Sequence, residues 1–196
     1  MSASPPPIEE CQGQEPLQVE IQGSLDGGST WELDGVAIFA YPGQEVELLV
    51  RTRMTNLSGQ TEGWSFSVEH DASELQYQYG DMILQAVTIE GTDTATVKNG
   101  SPPDFNDTTI QTEFSRYMQG IIIDTANEIT LPPTRDFVTS LACYHITIPW
   151  WGSYYEATIR FNHDLGDPPI HTVIVQQGEG YVPCTRDYQT TFTIWI

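Results

Sequence analysis

Residues 41–55 read YPGQEVELLVRTRMT. Tyr41-Pro42-Gly43 is a turn signal, because Pro presets one turn dihedral and Gly accepts the other. Beyond it Val46, Leu48, Val50, Thr52 and Met54 fall on one face of an extended chain, with Glu45, Glu47, Arg51 and Arg53 on the other. A period of two marks a strand with one face on a core and one in water. Asn56-Leu57-Ser58-Gly59 then turns the chain, and residues 63–70, GWSFSVEH, repeat the pattern: Trp64, Phe66 and Val68 against Ser65, Ser67 and Glu69.

The same texture runs outward from this pair. Residues 17–21 (LQVEI) alternate, and 31–39 carry Trp31, Leu33, Val36, Ile38 and Phe39. Further strands are expected at 75–79, 82–89, 94–98, 119–123, 137–148, 154–161, 170–176 and 189–196. Residues 99–110 and 130–136 read as loops, and only 111–118 could carry a helical turn or two. About nine to ten short strands with almost no helix predict an all-β sandwich or barrel. No linker splits the array, so one domain is expected over 17–196. Residues 1–16 form an extended Pro-rich N-terminal arm in which Pro5, Pro6 and Pro7 favour polyproline II.

The chain has 196 residues, 39% of them apolar, and a net charge of −20 with Lys98 as its only lysine. Nucleic acid is excluded as a sequence-independent partner, since binding would need a basic face. Docking on anionic lipid is disfavoured for the same reason. No apolar run reaches the roughly 20 residues of a membrane-spanning helix. After Met1 there is no apolar segment of the kind a secretory signal carries. Export would therefore need a signal already removed or another route.

Three of the five asparagines stand in N-x-S/T sequons: Asn56, Asn99 and Asn106, all in expected loops. Pro102 directly after Ser101 makes Asn99 the poorest acceptor. Of the three cysteines, Cys143 lies in an apolar strand and is expected as a buried free thiol. Cys11 and Cys184 look exposed and are expected to form a disulfide, within one chain or between two. Sequons, acidity and Lys depletion together favour an extracellular, cell-surface protein.

PGQEVELLVRTRMTN (42–56) leading into GWSFSVEHDASELQYQ (63–78) resembles the opening of cohesin-like domains. There a Pro-Gly turn and strand precede an apolar strand and a D-x-x-x-L element, here Asp71-Ala72-Ser73-Glu74-Leu75. FVTSLACYHITI (137–148) is similar to a later strand of that family, and GIIID (120–124) to the one before it. His70-Asp71-Ala72 departs from the family's aromatic-Asp-Pro, and residues 80–120 and the N-terminal arm exceed the length its members need. The resemblance implies a jelly-roll β-sandwich and offers dockerin binding as an option; it transfers no binding residue.

No nucleophile elbow, P-loop, dinucleotide fingerprint or zinc signature is present. His163-Asp164 and His171 flank the loop DLGDPP and read as ordinary polar residues, while His145 alternates with Cys143 and is expected in the core or a groove. No enzyme activity and no cofactor are expected. Acidic loops at 26–28, 104–107 and 164–167 have the oxygen chemistry of a structural Ca²⁺ site, without the EF-hand pattern. Trp150, Trp151, Tyr154 and Tyr155 place four large rings in six residues, suited to a sugar or a protein interface. The leading expectation is a non-catalytic adhesive module. It would self-assemble into a homo-oligomer or filament, or dock a dockerin-like protein, through sheet edges and the arm, where Ile8 and Leu17 are the apolar contacts. The alternative is a carbohydrate-binding module using the 150–155 cluster.

Overall fold

The computed structural model describes residues 18–55, 57, 59–70, 81–134, 136–151 and 154–194. The first strands are β1 (Gln18–Ser24), β2 (Gly35–Ala40), β3 (Glu45–Thr55), β4 (Thr61–His70) and β5 (Asp81–Thr88). Next come β6 (Phe105–Gln111), β7 (Arg116–Ile122), β8 (Phe137–Thr147) and β9 (Tyr154–Phe161). The last are β10 (Val173–Gln176), β11 (Glu179–Tyr181), β12 (Cys184–Arg186) and β13 (Tyr188–Ile194). Helical content among the described residues is two 3-10 turns, Asp93–Thr96 and Thr112–Phe114.

Two sheets form a sandwich. One has the order β12-β1-β3-β8-β5, the other β11-β10-β4-β9-β13-β2. On its other edge β4 carries β7, and β7 carries β6. The alternation at 45–55 and 63–70 is the core alternation: Leu48, Val50, Met54, Trp64, Phe66 and Val68 are all buried, against Tyr144 and Ile146 of β8 among others. Each such side chain contributes about 1.5–3 kcal/mol by leaving water. Phe66 packs edge-on against Tyr117 and Phe161, with ring centroids 6.2 and 6.1 Å away. The fully buried Tyr117 hydroxyl shares hydrogen bonds with Thr52 Oγ1 (2.8 Å) and Ser140 Oγ (3.3 Å), which removes the penalty of an unpaired polar group.

Several expectations are corrected. Residues 94–98 are not a strand. Asp93 accepts the Val138 N–H (2.7 Å) and Thr94 donates to the Val138 carbonyl (3.4 Å), so the segment docks on β8 as a 3-10 turn. Residues 105–110, expected as loop, belong to β6. Its β-branched Thr108-Thr109-Ile110 run outweighs Asn106 and Asp107, because an edge strand exposed on both faces needs no alternation. Residues 111–118 hold one 3-10 turn, ended by Ser115 at φ +47°, before β7 begins. Cys143 and His145 lie on the outer face of β8, between buried Ala142, Tyr144 and Ile146. The Cys143 thiol is half-buried and pushed up by desolvation and then by Glu47; His145 pairs with Glu45 on β3. The arm with Ile8 and Cys11, Leu17, Asn56, the Asp71–Leu75 element and the expected strand 75–79 lie outside the described residues.

Candidate protein-docking face

The outer face of β4, β7 and β6 is built in rows by their register. Gly63, Ile122 and Phe105 form one row, Ser65, Gly120 and Asp107 the next, then Ser67, Met118 and Thr109, and last Glu69, Arg116 and Gln111. On the far side of β4, Val175 pairs with Gly63 and Val173 with Ser65. The first rows therefore enclose an apolar groove of about 370 Å³, lined among others by Phe105, Ile122, Gly63, Gly120 and Val175. Phe105 and Ile122 are its exposed walls. Gly63 admits the close approach of β7: a Cβ there would stand 2.3 Å from the Ile121 carbonyl oxygen. The opposite end of the face is charged. Arg160 pairs with Glu69 (2.9 Å), and the Arg116 guanidinium lies 4.5 Å from the Phe114 ring centre.

The rim beside Phe105 is fixed by Lys98. Its Nζ lies 2.6 Å from Asp104 Oδ1 and 2.9 Å from Asp124 Oδ1. The second oxygen of Asp104 accepts the Thr125 N–H and hydroxyl, both at 3.0 Å, and that of Asp124 accepts the Glu128 and Ile129 N–H groups at 2.8 and 3.0 Å. Hydrogen bonds from Lys98 hold both carboxyls below the usual carboxylate range, and the two carboxylates raise the Lys98 ammonium. Of the acidic loops read as calcium candidates, the one containing Asp104 thus directs its carboxylate at an ammonium. In the first, Asp26 accepts from Thr30 and Ser24, bonds that bring it down to about 2. Among the described residues no three His, Cys, Asp or Glu side chains gather as metal ligands. His163 is held below its ordinary value by burial and then by His171.

The aromatic cluster divides. Trp150, Trp151 and Tyr154 are exposed. Tyr155, expected as a contact residue, is buried, and its hydroxyl donates to the Trp151 carbonyl. Strand alternation separates Tyr154 from Tyr155. Asn99 occupies a turn at φ +51°. Asn106, expected in a loop, stands exposed on the edge strand β6, and its Oδ1 accepts from the Thr108 hydroxyl of its own sequon (2.9 Å). Cys143 is a free thiol, and Cys184 is disulfide-bonded. Sequence reading missed Phe105, Ile122 and Phe39 as surface groups; no motif marks them, and only register places them outward. Tyr41, in the turn after β2, is exposed too.

No protein-family model matches this chain, and no curated protein matches it. Solved structures do. A cohesin in a type I cohesin–dockerin complex from Clostridium thermocellum is similar with a TM-score of 0.56 and 12% identity, over 100% of this chain and 99% of that one. A ScaC cohesin in complex with the ScaB dockerin, from Acetivibrio cellulolyticus, gives 0.53 and 12% over 92% and 99%. A type III cohesin module from the ScaE cell-surface anchoring scaffoldin of Ruminococcus flavefaciens gives 0.51 and 9% over 100% and 96%. At such identities the likeness is one of fold, and the chain has a cohesin-like jelly-roll β-sandwich.

Proposed function

We propose that the chain is a non-catalytic, extracellular docking module that binds a protein partner on the outer face of β10, β4, β7 and β6. The observation that carries this is the apolar groove between Phe105, Ile122, Gly63 and Val175, at the end of the face beyond the row of Ser67 and Met118, which residues 162–170 cover. An exposed apolar patch rimmed by polar groups marks an interaction site. The fitting partner has an apolar anchor side chain and a basic surface, because a charge of −20 repels acidic proteins. The similar cohesins from C. thermocellum and A. cellulolyticus are in complexes with dockerins, so a dockerin-like domain is the partner class to try first. The disulfide at Cys184 and the sequons at Asn56, Asn99 and Asn106 support an oxidising, extracellular setting. Binding of the full chain to immobilised type I dockerins tests the reading. Ile122→Glu should weaken binding at least about tenfold; a panel with no binder, or an unaffected variant, contradicts it.

A second copy is the other occupant, and one observation favours it. Among the described residues β6 pairs with β7 alone, and most of its side chains are exposed. Such an edge is a template for an extended segment. The arm, with Ile8 and Leu17, is the segment this chain would offer. Light scattering of a variant lacking residues 1–16 decides: assembly equal to that of the full chain, or a strictly monomeric full chain, refutes self-association through the arm.

A further inference from the structure

Among the described residues five large apolar side chains are more exposed than any others: Phe39, Tyr41, Trp150, Trp151 and Tyr154, between 55% and 66%. All five are aromatic. All five come from one end of the sandwich: the end of β2 and the residue after it, the loop following β8, and the first residue of β9. Phe39 pairs with Thr193 on β13, and Thr193 pairs with Tyr154 on β9. Phe39 and Tyr154 therefore stand on the same sheet face two strands apart, about 9–10 Å, with only a threonine between them. Trp150 is seated on backbone: a Cβ at Gly43 would meet its ring at 2.5 Å, and the turn beneath is closed by Gly43 N–H bonded to the Ile148 carbonyl (3.0 Å).

The groups beside these rings are polar and held in place. Glu156 accepts from the Tyr154 hydroxyl (2.8 Å) on one oxygen and from Gln189 Nε2 (3.0 Å) on the other. Each oxygen keeps lone pairs for further donors. The rows that cross this part of the sheet are Phe39-Thr193-Tyr154, Ala37-Thr191-Glu156 and Gly35-Gln189-Thr158. They hold hydroxyls, an amide and a carboxylate, and neither a basic nor a large aliphatic side chain.

We infer that this end of the sandwich binds a neutral glycan chain, with Phe39 and Tyr154 as stacking rings, Trp150 extending the platform, and Glu156 and Gln189 bonding sugar hydroxyls. A pyranose offers C–H faces to aromatic rings and hydroxyls to carboxylate and amide. Aromatic rings anchor protein interfaces as well; the rows of hydroxyl, amide and carboxylate beside these rings favour a polyhydroxylated ligand. Anionic glycans are repelled by Glu156 and by the net charge of −20. In the strand order this site lies at β13 and β2, away from the groove at β6 and β7, so the two bind independently.

Native affinity electrophoresis of the full chain tests this. The gels carry hydroxyethylcellulose, xyloglucan, galactomannan or laminarin, with polygalacturonate as the anionic comparison. Retardation is expected in at least one neutral gel. It should weaken at least about tenfold in Phe39→Ala/Tyr154→Ala and in Trp150→Ala and persist in Ile122→Glu, with circular dichroism confirming that all variants fold. No retardation in any neutral gel overturns the inference. So does equal retardation in polygalacturonate, a double variant that migrates as the parent does, or a protein ligand whose capture alone depends on Phe39 and Tyr154.

Discussion

Phe105 on β6 and Ile122 on β7 are direct partners in the antiparallel ladder, and both side chains leave the sandwich, 45% and 43% exposed. Opposed residues of this kind bring their Cβ atoms within about 4.5–5.5 Å, so the two form one continuous apolar surface. Gly63 extends the row and contributes no side chain, which turns the surface into a groove. Among the described strands β6 is the outermost beside this groove.

Gly63 and Gly120 both lie in that groove, and their substitution should differ. A Cβ at Gly63 would collide with the Ile121 carbonyl, while one at Gly120 meets nothing nearer than the Phe105 ring at 3.9 Å. Gly63→Ala should cost about 1–3 kcal/mol through forced strand displacement. Gly120→Ala should leave the urea midpoint near that of the parent. Equal midpoints for the two variants would show that β4 and β7 do not approach so closely.

Lys98→Met should flatten the acid side of the stability profile. The carboxyls of Asp104 and Asp124 are lowered by Lys98, so their contribution is complete above the unfolded value of about 3.9 and is lost as pH falls through the lower folded values. Lys98 is raised, so its contribution holds below about 10.4 and is lost as pH rises through its folded value. All three act at neutral pH. Thermal unfolding from pH 7 downward should show a shallower decline in the variant; superimposable profiles would mean that the triad is not formed.

Stability should rise with salt. With 27 acidic against 7 basic residues, self-repulsion outweighs local pairs such as Lys98–Asp104. Screening shortens from about 8 Å at 0.15 M to about 3 Å at 1 M. The unfolding temperature should increase by several degrees between these concentrations. A fall would mean that the ion pairs dominate.

Asn106 should carry a glycan in the native protein, as should Asn56, with Asn99 the weakest acceptor. The Asn106 side chain is exposed beside the hydroxyl of Thr108. Glycopeptide mass spectrometry of protein from its natural source should find both sites modified, and Thr108→Ala should abolish modification at Asn106. A bare chain mass from that source would contradict it.

Strands 45–55 and 63–70 were legible because each has one wet and one dry face, which the period of two records directly. β6 was not, because an edge strand has no dry face and its Asn and Asp imitate a loop. Ile122 was hidden by its neighbours: in the run Ile121-Ile122-Ile123 all positions look like core, yet Ile121 and Ile123 are buried and Ile122 is not. Phe39 follows Ile38 in the same apolar stretch, and only Ile38 takes the inward position. The rings at 150–155 were visible as a cluster, but only register separates exposed Tyr154 from buried Tyr155. The Lys98 triad joins residues that short-range patterns cannot connect.

Protein docking in the β6–β7 groove is tested most directly by hydrogen exchange on the full chain, alone and saturated with a bound type I dockerin. Slowed exchange should appear in Phe105–Gln111 and at Gly120–Ile122, and Ile122→Glu should abolish it while Phe39→Ala/Tyr154→Ala preserves it. Exchange unchanged in both segments, or protection confined to the β2–β13 end, would contradict docking at this groove.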